Sequence, residues 1–579
     1  MADLATPAQA PRETLDTEGL QRGVGFLGLL WASEASIIGS GWLFGALAAA
    51  TYAGPSALIG WLIASLIVIL LALVHAELGG LFPVSGGTSR FPHYAFGSFA
   101  GATFGWASYL QAASVAPIEV LAAIQYLSTA HWARHFYVSH TTGPGTLSHG
   151  GILAAVILMV IFVMLNLIGI RWLARANNAI TTWKVIIPVL TIIVILVSHF
   201  HGGNFSKGGG FFVKGAALKS VLIAIPSGGI VFALLGFEQA VQLGGEAANP
   251  KRDLPRAVIL SILIGAAIYI LLQVVFIGAV DPKLLLSQHT WTNLGSKNGN
   301  PSVVALNKGP FYTVTKVAGL AWLAFILRLD AVISPGGTGL VYLTSSSRLS
   351  FALSKNGYIP SAFQSTNERT RVPVFGVLFA TVIGLLFLLP FPSWSQLVNV
   401  VTSASVLMYA AAPLALAALR RQKPELPRVY QLPMADVLAP LSFVCASWII
   451  YWAGWQTYTT LMLAMLIGYL LIAASYAFHL NPNQPKMDWE AAIWIVPYLV
   501  GMLVISYFGT FGAGGIVGGV GFFKHVLDQG GNDDLGLFGG LAASAALSLA
   551  IFYLAIARRL PTDKVDHYVR DVYPPPVTE

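Results

Sequence analysis

Residues 24–50 read VGFLGLLWASEASIIGSGWLFGALAAA, an apolar stretch whose middle carries the run Ser36-Ile37-Ile38-Gly39-Ser40-Gly41. A second long apolar stretch, from Leu218 to Gly245, is interrupted by Pro226-Ser227-Gly228-Gly229 and again by Gly236. Backbone groups left unpaired in hydrocarbon cost several kcal/mol each, so broken membrane helices persist where the break lines a cavity and meets a ligand. Two such interruptions predict a transporter.

The composition is that of a polytopic membrane protein. The 579-residue chain is 56% hydrophobic and 10% charged, its mean hydropathy is +0.72, and soluble domains are roughly 25% charged. A helix needs about 20 apolar residues to cross the bilayer, and the chain contains about fourteen such stretches. They lie near residues 24–50, 55–82, 100–128, 151–170, 177–199, 218–246, 255–280, 311–347, 373–391, 394–419, 437–454, 457–479, 489–511 and 535–557.

The 32 Lys and Arg residues favour one side of the membrane. If the N-terminus is cytoplasmic, the runs Arg420-Arg421-Gln422-Lys423, Lys251-Arg252 and Arg558-Arg559 lie inside, and Arg134 is the one arginine of the outside loops. This asymmetry follows the positive-inside rule. We therefore predict an integral plasma (inner) membrane protein with both termini in the cytoplasm. The formal charge of +8 is then explained by the lipid surface and not by nucleic acid.

Neither cofactor nor enzyme chemistry is indicated. The one cysteine, Cys445, lies in an apolar stretch, so the chain alone forms no disulfide or cysteine-ligated metal site. The histidines show no metal-ligand spacing, and the glycine pairs follow no strand and precede no lysine-serine pair. We expect no metal, no cofactor and no enzyme.

The spacing of the two interruptions predicts the domain organisation. Five spans separate the start of one interruption from the other, as in an inverted repeat of five helices each. We predict a cytoplasmic tail at 1–22, a ten-helix core at 23–420, helices 11 and 12 at 421–480, accessory helices 13 and 14 at 481–560, and a C-terminal tail at 561–579. The oligomeric state does not follow from the sequence.

The interruptions carry complementary partial charges. Unwound Gly39-Ser40-Gly41 exposes N–H groups at the start of a half-helix, where the dipole is positive, and this favours a carboxylate. The first half of the sixth span ends near Pro226 with unpaired C=O groups, which suit an ammonium group. The alternative is that the glycines only permit close helix packing. Two clusters in matching positions favour a site for an amino acid.

Four motifs occur in one order along the chain: Ile38-Gly39-Ser40-Gly41 with Phe44; Glu77-Leu78 with Phe82-Pro83-Val84-Ser85-Gly86-Gly87; Phe232-Ala233-Leu234-Leu235-Gly236-Phe237-Glu238 with Asn249-Pro250-Lys251-Arg252-Asp253-Leu254-Pro255; and Ser347-Arg348 with Lys355-Asn356-Gly357-Tyr358-Ile359-Pro360. In them the chain resembles the amino acid-polyamine-organocation permeases over roughly residues 20–480. Two further runs, Gly41-Trp42-Leu43-Phe44 and Asp330-Ala331-Val332-Ile333-Ser334-Pro335, are similar to a subgroup of aspartate and glutamate proton symporters.

The resemblance implies an all-α polytopic protein with a LeuT-type 5+5 inverted repeat and discontinuous spans 1 and 6. It also implies residue roles. The amides of Ile38, Gly39, Ser40 and Gly41 would receive the substrate carboxylate, the carbonyls of Phe232, Ala233 and Leu235 its amine, and Phe237 would be an aromatic gate. Lys184 in the fifth span would take the place of a sodium ion and tie that span to the first break; the alternative is a lysine that reaches the cytoplasmic interface.

Other ionisable residues inside the predicted spans are functional candidates because burying them is costly. Glu119 could carry the coupled proton, bind a cationic side chain, or cap backbone freed by Pro117. Glu34 and Asp330 are further coupling candidates, although Asp330 could pair with Arg328 or Lys316. Arg328 could receive a side-chain carboxylate. Glu77 and Glu238 are expected to tie loops together.

These observations favour a proton-coupled amino acid symporter that works by alternating access in the lipid bilayer, with acidic amino acids as candidate substrates. An exchanger of cationic amino acids or polyamines would depend on Glu119 instead. A receptor or channel on the same fold would bind without accumulating substrate, or conduct currents too large for a carrier. Loss of acid-stimulated uptake in Lys184→Ala is the result expected for the symporter alone.

Overall fold

The computed structural model describes residues 23–138, 145–168, 170–295, 300–367, 372–388, 393–512, 530–570 and 572, with the side chains of 168–177 and 396 left out. The predicted tail at 1–22 and most of the glycine-rich loop before the last apolar stretch, 513–529, lie outside this description. The described residues are almost entirely helical, and the strands are the two-residue pair β1 (Tyr137–Val138) and β2 (Thr146–Leu147).

The described part of the first half of the chain forms eleven α-helices. In order they are α1 (Phe26–Ile37), α2 (Ser40–Ala53), α3 (Ala57–Leu81), α4 (Gly87–Phe96), α5 (Ser98–Leu127), α6 (His149–Ile168), α7 (Ile170–Ser198), α8 (Ala217–Ser227), α9 (Ile230–Ala233), α10 (Glu238–Gln242) and α11 (Pro250–Ala279).

The second half begins with short helices and continues with long ones. They are α12 (Pro282–Gln288), α13 (Pro301–Lys308), α14 (Pro310–Val317), α15 (Ala321–Lys355), α16 (Val374–Leu388), α17 (Trp394–Gln422), α18 (Ala435–Trp452), α19 (Trp455–Ala477), α20 (Ile495–Phe508), α21 (Gly536–Ala557) and α22 (Thr562–Tyr568).

Ten helical stretches of the described residues are long and apolar enough to cross a membrane, and α1, α8, α16 and α20 are shorter apolar helices. The prediction of an all-α polytopic membrane protein is confirmed. A count of fourteen spans stays a prediction. The predicted eighth stretch, 311–347, is wrong at its beginning, because Gly319, with φ of +78°, separates α14 from α15. The residues between the predicted seventh and eighth stretches contain the short helices α12 and α13.

Burial separates the centre of the bundle from its lipid-facing rim. The apolar windows of α5 and α17 are completely buried, whereas those of α6, α7, α19 and α21 are 28–39% buried. The buried α5 packs along α15 and α17, and α3 packs along α11. Leu66, Met164 and Val197 are among the exposed apolar side chains, as expected where lipid replaces water.

The C-terminal helix α22 is anchored to the core. Asp488, in the linker before α20, accepts hydrogen bonds from Lys564 (2.9 Å), from the hydroxyl of Tyr568 (2.8 Å) and from the hydroxyl of Ser98 (3.1 Å). Burial raises the pKa of Asp488, but these hydrogen bonds outweigh it, so the pKa lies below its usual value of 3.8. The carboxylate therefore joins α22 to the start of α5 at neutral pH.

Candidate functional site

The two predicted interruptions are real breaks in helical structure, and they meet. Only Ile38 and Gly39 separate α1 from α2, and residues 234–237 separate α9 from α10. A Cβ atom added to Gly41 would lie 2.9 Å from the Cα of Ala233. One added to Gly236, whose φ is +127°, would lie 2.7 Å from the nitrogen of Ile37. Glycine is required at both positions for the two backbones to come this close.

A small cavity lies where the breaks meet. Its lining residues come from both breaks and from α5 and α15: Ser36, Ile37, Gly39, Gly41, Val115, Glu119, Phe232, Leu235, Thr338 and Tyr342. Several sequence-predicted residues are thus brought together around one space. Glu119 is the one charged residue of this lining, and its polar neighbours are hydroxyl groups.

The carboxyl group of Glu119 is bound to the first break. Its Oε2 accepts a hydrogen bond from the amide of Ser40 at 2.8 Å, and its Oε1 accepts one from the Ser40 hydroxyl at 3.0 Å. The amide of Ile38 donates to Glu34 O (3.0 Å) and that of Gly39 to Ile37 O (3.1 Å). Three of the four amides assigned to a substrate carboxylate therefore have protein partners in this structure, and their role in binding stays a prediction.

Lys184 joins three helices at the same break. Its fully buried ammonium group donates to the carbonyl of Ala35 and to the hydroxyl of Thr338, the latter at 2.7 Å. Thr338 also donates to Ala35 O at 2.9 Å. The lysine thus lies beside the first break, buried within the helix bundle. It interacts electrostatically with three buried carboxyl groups, those of Glu119, Asp330 and Glu34.

The two remaining acidic candidates differ in their partners. Asp330 accepts hydrogen bonds from Ser334 (2.6 Å) and from the indoles of Trp183 (2.8 Å) and Trp42 (3.1 Å). Its expected pairing with Arg328 or Lys316 is not observed. Both carboxyl oxygens of Glu34 are buried, and no hydrogen-bond partner for them lies among the described residues.

Arg328 and Phe237 do not line this cavity, and the roles predicted for them stay predictions. Arg328 lies over the ring of Tyr312 and donates to Thr129 Oγ1 at 3.3 Å. The ring of Phe237 stacks on Tyr409, with centroids 4.8 Å apart. The aromatic residues at the cavity are Phe232 and Tyr342. The carbonyl of Phe232, which was predicted to receive the substrate amine, accepts a hydrogen bond from the amide of Leu235 at 3.2 Å.

Glu238 organises the second break. Its side chain accepts hydrogen bonds from the amide of Gly236 (2.9 Å) and from the hydroxyls of Tyr342 (2.9 Å) and Tyr409 (2.5 Å). This agrees with the expectation that Glu238 holds irregular backbone together. Because Tyr342 also lines the cavity, the carboxylate stabilises one wall of the site.

Sequence reasoning missed Thr338, Tyr269 and Trp394. The hydroxyl of Tyr269 donates to Ile37 O at 2.7 Å, and the indole of Trp394 donates to Ser40 Oγ at 2.8 Å. Only Thr338 has a sequence signal, because it follows Gly336-Gly337 in α15. A Cβ on Gly337 would lie 2.7 Å from Cγ2 of Ile180, one turn before Lys184, so the glycine leaves room for α7 to pack against α15 here.

Comparison with known proteins identifies relatives of this chain. A family model described as "Amino acid permease" matches residues 24–471. The glutamate/serine transporter AimA of Bacillus subtilis (strain 168) is 36% identical over 86% of this chain and 89% of the relative. The aspartate-proton symporter of the same organism is 33% identical over 94% of this chain and 98% of the relative. A branched-chain amino acid permease, BcaP, also from that organism, is 26% identical over 81% of this chain and 96% of the relative.

Proposed function

Because this chain belongs to the amino acid permease family, within the amino acid-polyamine-organocation superfamily, we propose that it is a secondary active transporter that carries an amino acid together with a proton. The matching family model is described as an amino acid permease, and the helices are those of an integral multi-pass membrane protein. We further propose the LeuT-type 5+5 arrangement with fourteen spans and both termini in the cytoplasm, which the positive-inside rule supports.

The bond between Glu119 and Ser40 carries the proposal of proton coupling. A substrate carboxylate that approaches the break meets a buried carboxylate already bound to the Ser40 amide. Two like charges about 4 Å apart repel by about 4 kcal/mol at an effective dielectric constant of 20, which is roughly a thousandfold in affinity. Protonation of Glu119 removes this repulsion. Binding of a proton therefore favours binding of the amino acid.

Lys184 supplies the second part of the coupling. Its ammonium group binds the carbonyl of Ala35 on the opposite side of the same break and interacts with Glu119, Asp330 and Glu34. A proton that neutralises one of these carboxyl groups weakens the electrostatic attraction between that group and the ammonium group of Lys184. The contact between α7 and α1 at the break changes as a result. We propose that this links the proton to the movement of the first span.

The cavity narrows the substrate class. Its lining contains hydroxyl groups from Ser36, Thr338 and Tyr342 and no lysine or arginine. Small polar amino acids, with their side chains bound by hydroxyls, fit this lining, and acidic ones fit it when Glu119 is protonated. The names of AimA and the aspartate-proton symporter, which mention glutamate, serine and aspartate, support the same class. Glu119 at the lining favours a second candidate, the exchange of cationic amino acids.

Counterflow and gradient-driven uptake in proteoliposomes separate these possibilities. The panel contains aspartate, glutamate, serine, lysine and putrescine, with and without an acid-outside pH gradient. We expect the gradient to drive accumulation of one of the first three. Electrogenic exchange of lysine or putrescine without acid stimulation would instead show that the protein is an exchanger. Binding without accumulation would show that it is a receptor.

Two lysine variants test the mechanism in the same assay. Lys184→Ala should lose gradient-driven accumulation, because the ammonium group at the break is removed. Lys316→Ala is the matched control, since this lysine is exposed on α14, and it should behave as the unmodified protein. Undiminished acid-stimulated uptake in Lys184→Ala would contradict the proposal.

A further inference from the structure

Trp394, the first residue of α17, contacts both helix breaks. It is 3% exposed. Its indole Nε1 donates to Ser40 Oγ at 2.8 Å, and its ring lies 3.0 Å from the position that a Cβ atom on Gly229 would occupy. Its ring also meets that of Phe232, at 5.8 Å between centroids, and Phe232 lines the cavity. One side chain from α17 therefore covers the place where the two breaks meet.

Trp394 covers the cavity from a defined side. It begins α17, whereas Arg420 near the other end of α17 is bound to Glu77 at 2.9 Å within the arginine-rich end of the bundle. Under the proposed orientation, the arginine-rich end is cytoplasmic. Trp394 then lies between the cavity and the outside.

The hydrogen bonds of Trp394 continue to Glu119. An indole N–H is only a donor, so Ser40 Oγ accepts from Trp394 and uses its own hydrogen to donate to Glu119 Oε1 at 3.0 Å. The Ser40 amide donates to the other oxygen, Oε2. Every donor in this series of hydrogen bonds has an acceptor when both oxygens of Glu119 accept. An ionised carboxylate does this, because it carries no proton of its own.

Protonation of Glu119 breaks this pattern. With Oε2 still accepting from the Ser40 amide, we place the new proton on Oε1, where it donates to Ser40 Oγ. The serine hydroxyl then accepts from Trp394 and from Glu119, and its own hydrogen has lost its acceptor. An unsatisfied buried donor shifts a two-state equilibrium by about 5- to 150-fold.

We propose that Trp394 is a positioning residue that holds the outer side of the site closed when Glu119 is ionised and releases it when Glu119 is protonated. The inference rests on the proposed role of Glu119 as the proton carrier. Lys184 of α7 and Tyr269 of α11 are the titratable groups that interact electrostatically with Glu119, and Tyr342 of α15 lines the same cavity. These three groups influence the pH at which Glu119 takes up its proton. The hydrogen bonds through Ser40 transmit that change to Trp394.

Accessibility of the cavity from outside tests the proposal without any substrate. A cysteine is introduced at Ser36, which lines the cavity, after the buried Cys445 is replaced by serine. Its labelling by a membrane-impermeant thiol reagent, added outside, is measured between pH 5 and 8. The thiolate fraction changes with pH in every variant alike, so rates are compared at each pH as the ratio of Trp394→Phe to the protein with Trp394 intact.

Trp394→Phe retains a packed ring and removes only the N–H donor. We expect Trp394→Phe to label about 5 to 150 times faster than the protein with Trp394 intact at pH 8. The ratio should fall towards 1 in acid, where the protein with Trp394 intact also opens. Ser40→Ala interrupts the same chain and should give the same profile. A ratio that does not change with pH, or that stays at 1 throughout, would overturn the proposal. Failure of proton-driven uptake would be a separate result, because the labelling needs no transport.

Discussion

Replacement of Gly41 by alanine should weaken substrate binding by forcing the two helix breaks apart. The added Cβ would lie 2.9 Å from both the Cα and the Cβ of Ala233 and 3.4 Å from the hydroxyl of Tyr269. Ala233 Cα belongs to the backbone of α9 and cannot rotate away, so α2 and α9 must separate by several tenths of an ångström. Overpacking of this kind costs about 1–3 kcal/mol.

This cost predicts the size of the effect. If the substrate binds between the touching breaks, the concentration for half-maximal counterflow should rise about 5- to 150-fold in Gly41→Ala. Gly45→Ala, one turn later in α2, is the matched control, because its Cβ would meet no atom closer than 3.8 Å. That change should be neutral or stabilise the helix by about 0.5–1 kcal/mol. Equal counterflow constants in the two variants would show that the contact between the breaks does not support binding.

Two further predictions concern the arginine-rich face. Arg348→Ala removes an ion pair with Glu246 at 2.9 Å, in which the side chains are 20% and 16% exposed. Loss of a pair that contributes about 1 kcal/mol should raise the labelling of the Ser36 cysteine from that face about fivefold. Arg421→Ala is the control and should leave the labelling unchanged, because its pair with Asp436 is 3.5 Å long and its side chains are 43% and 92% exposed. The lowered pKa of Asp488 means that its carboxylate stabilises the docked α22 above pH 3.8 and that this stabilisation is lost as the pH falls further. Asp488→Asn should therefore expose α22 to limited proteolysis at pH 7, and unchanged cleavage would contradict the anchor.

The helix breaks could be predicted because their cause is local. Ser36 to Gly41 and Pro226 to Gly229 combine residues that favour irregular backbone with a surrounding apolar stretch, and both properties are visible in a short window of sequence. The same holds for most apolar helices. Gly319 was missed within a long apolar stretch, since a single glycine ends a helix only when its neighbours place it in a left-handed conformation.

The side-chain assignments could be predicted less well because they depend on helix rotation and distant partners. Phe232 and Phe237 lie five positions apart, and only the unwound backbone between α9 and α10 decides that Phe232 faces the cavity and Phe237 faces Tyr409. Arg328 lies two residues before Asp330, so the two side chains leave α15 in different directions. Trp394 and Ser40 are separated by 354 positions, and no property of either residue identifies the other.

Under the proposed function, the hydrogen bonds that protein groups make to the first break also explain how the substrate is released. In this structure the amide of Ser40 is bound by Glu119, and the carbonyls of Ala35 and Ile37 accept from Lys184 and Tyr269. A substrate that binds here exchanges these protein partners for its own groups, so the net gain is the difference between two sets of hydrogen bonds, each worth about 1 kcal/mol. Free backbone groups would bind a zwitterion more tightly and hold it. Since Glu119 and Lys184 interact with each other, one proton can shift this balance on both sides of the break at once.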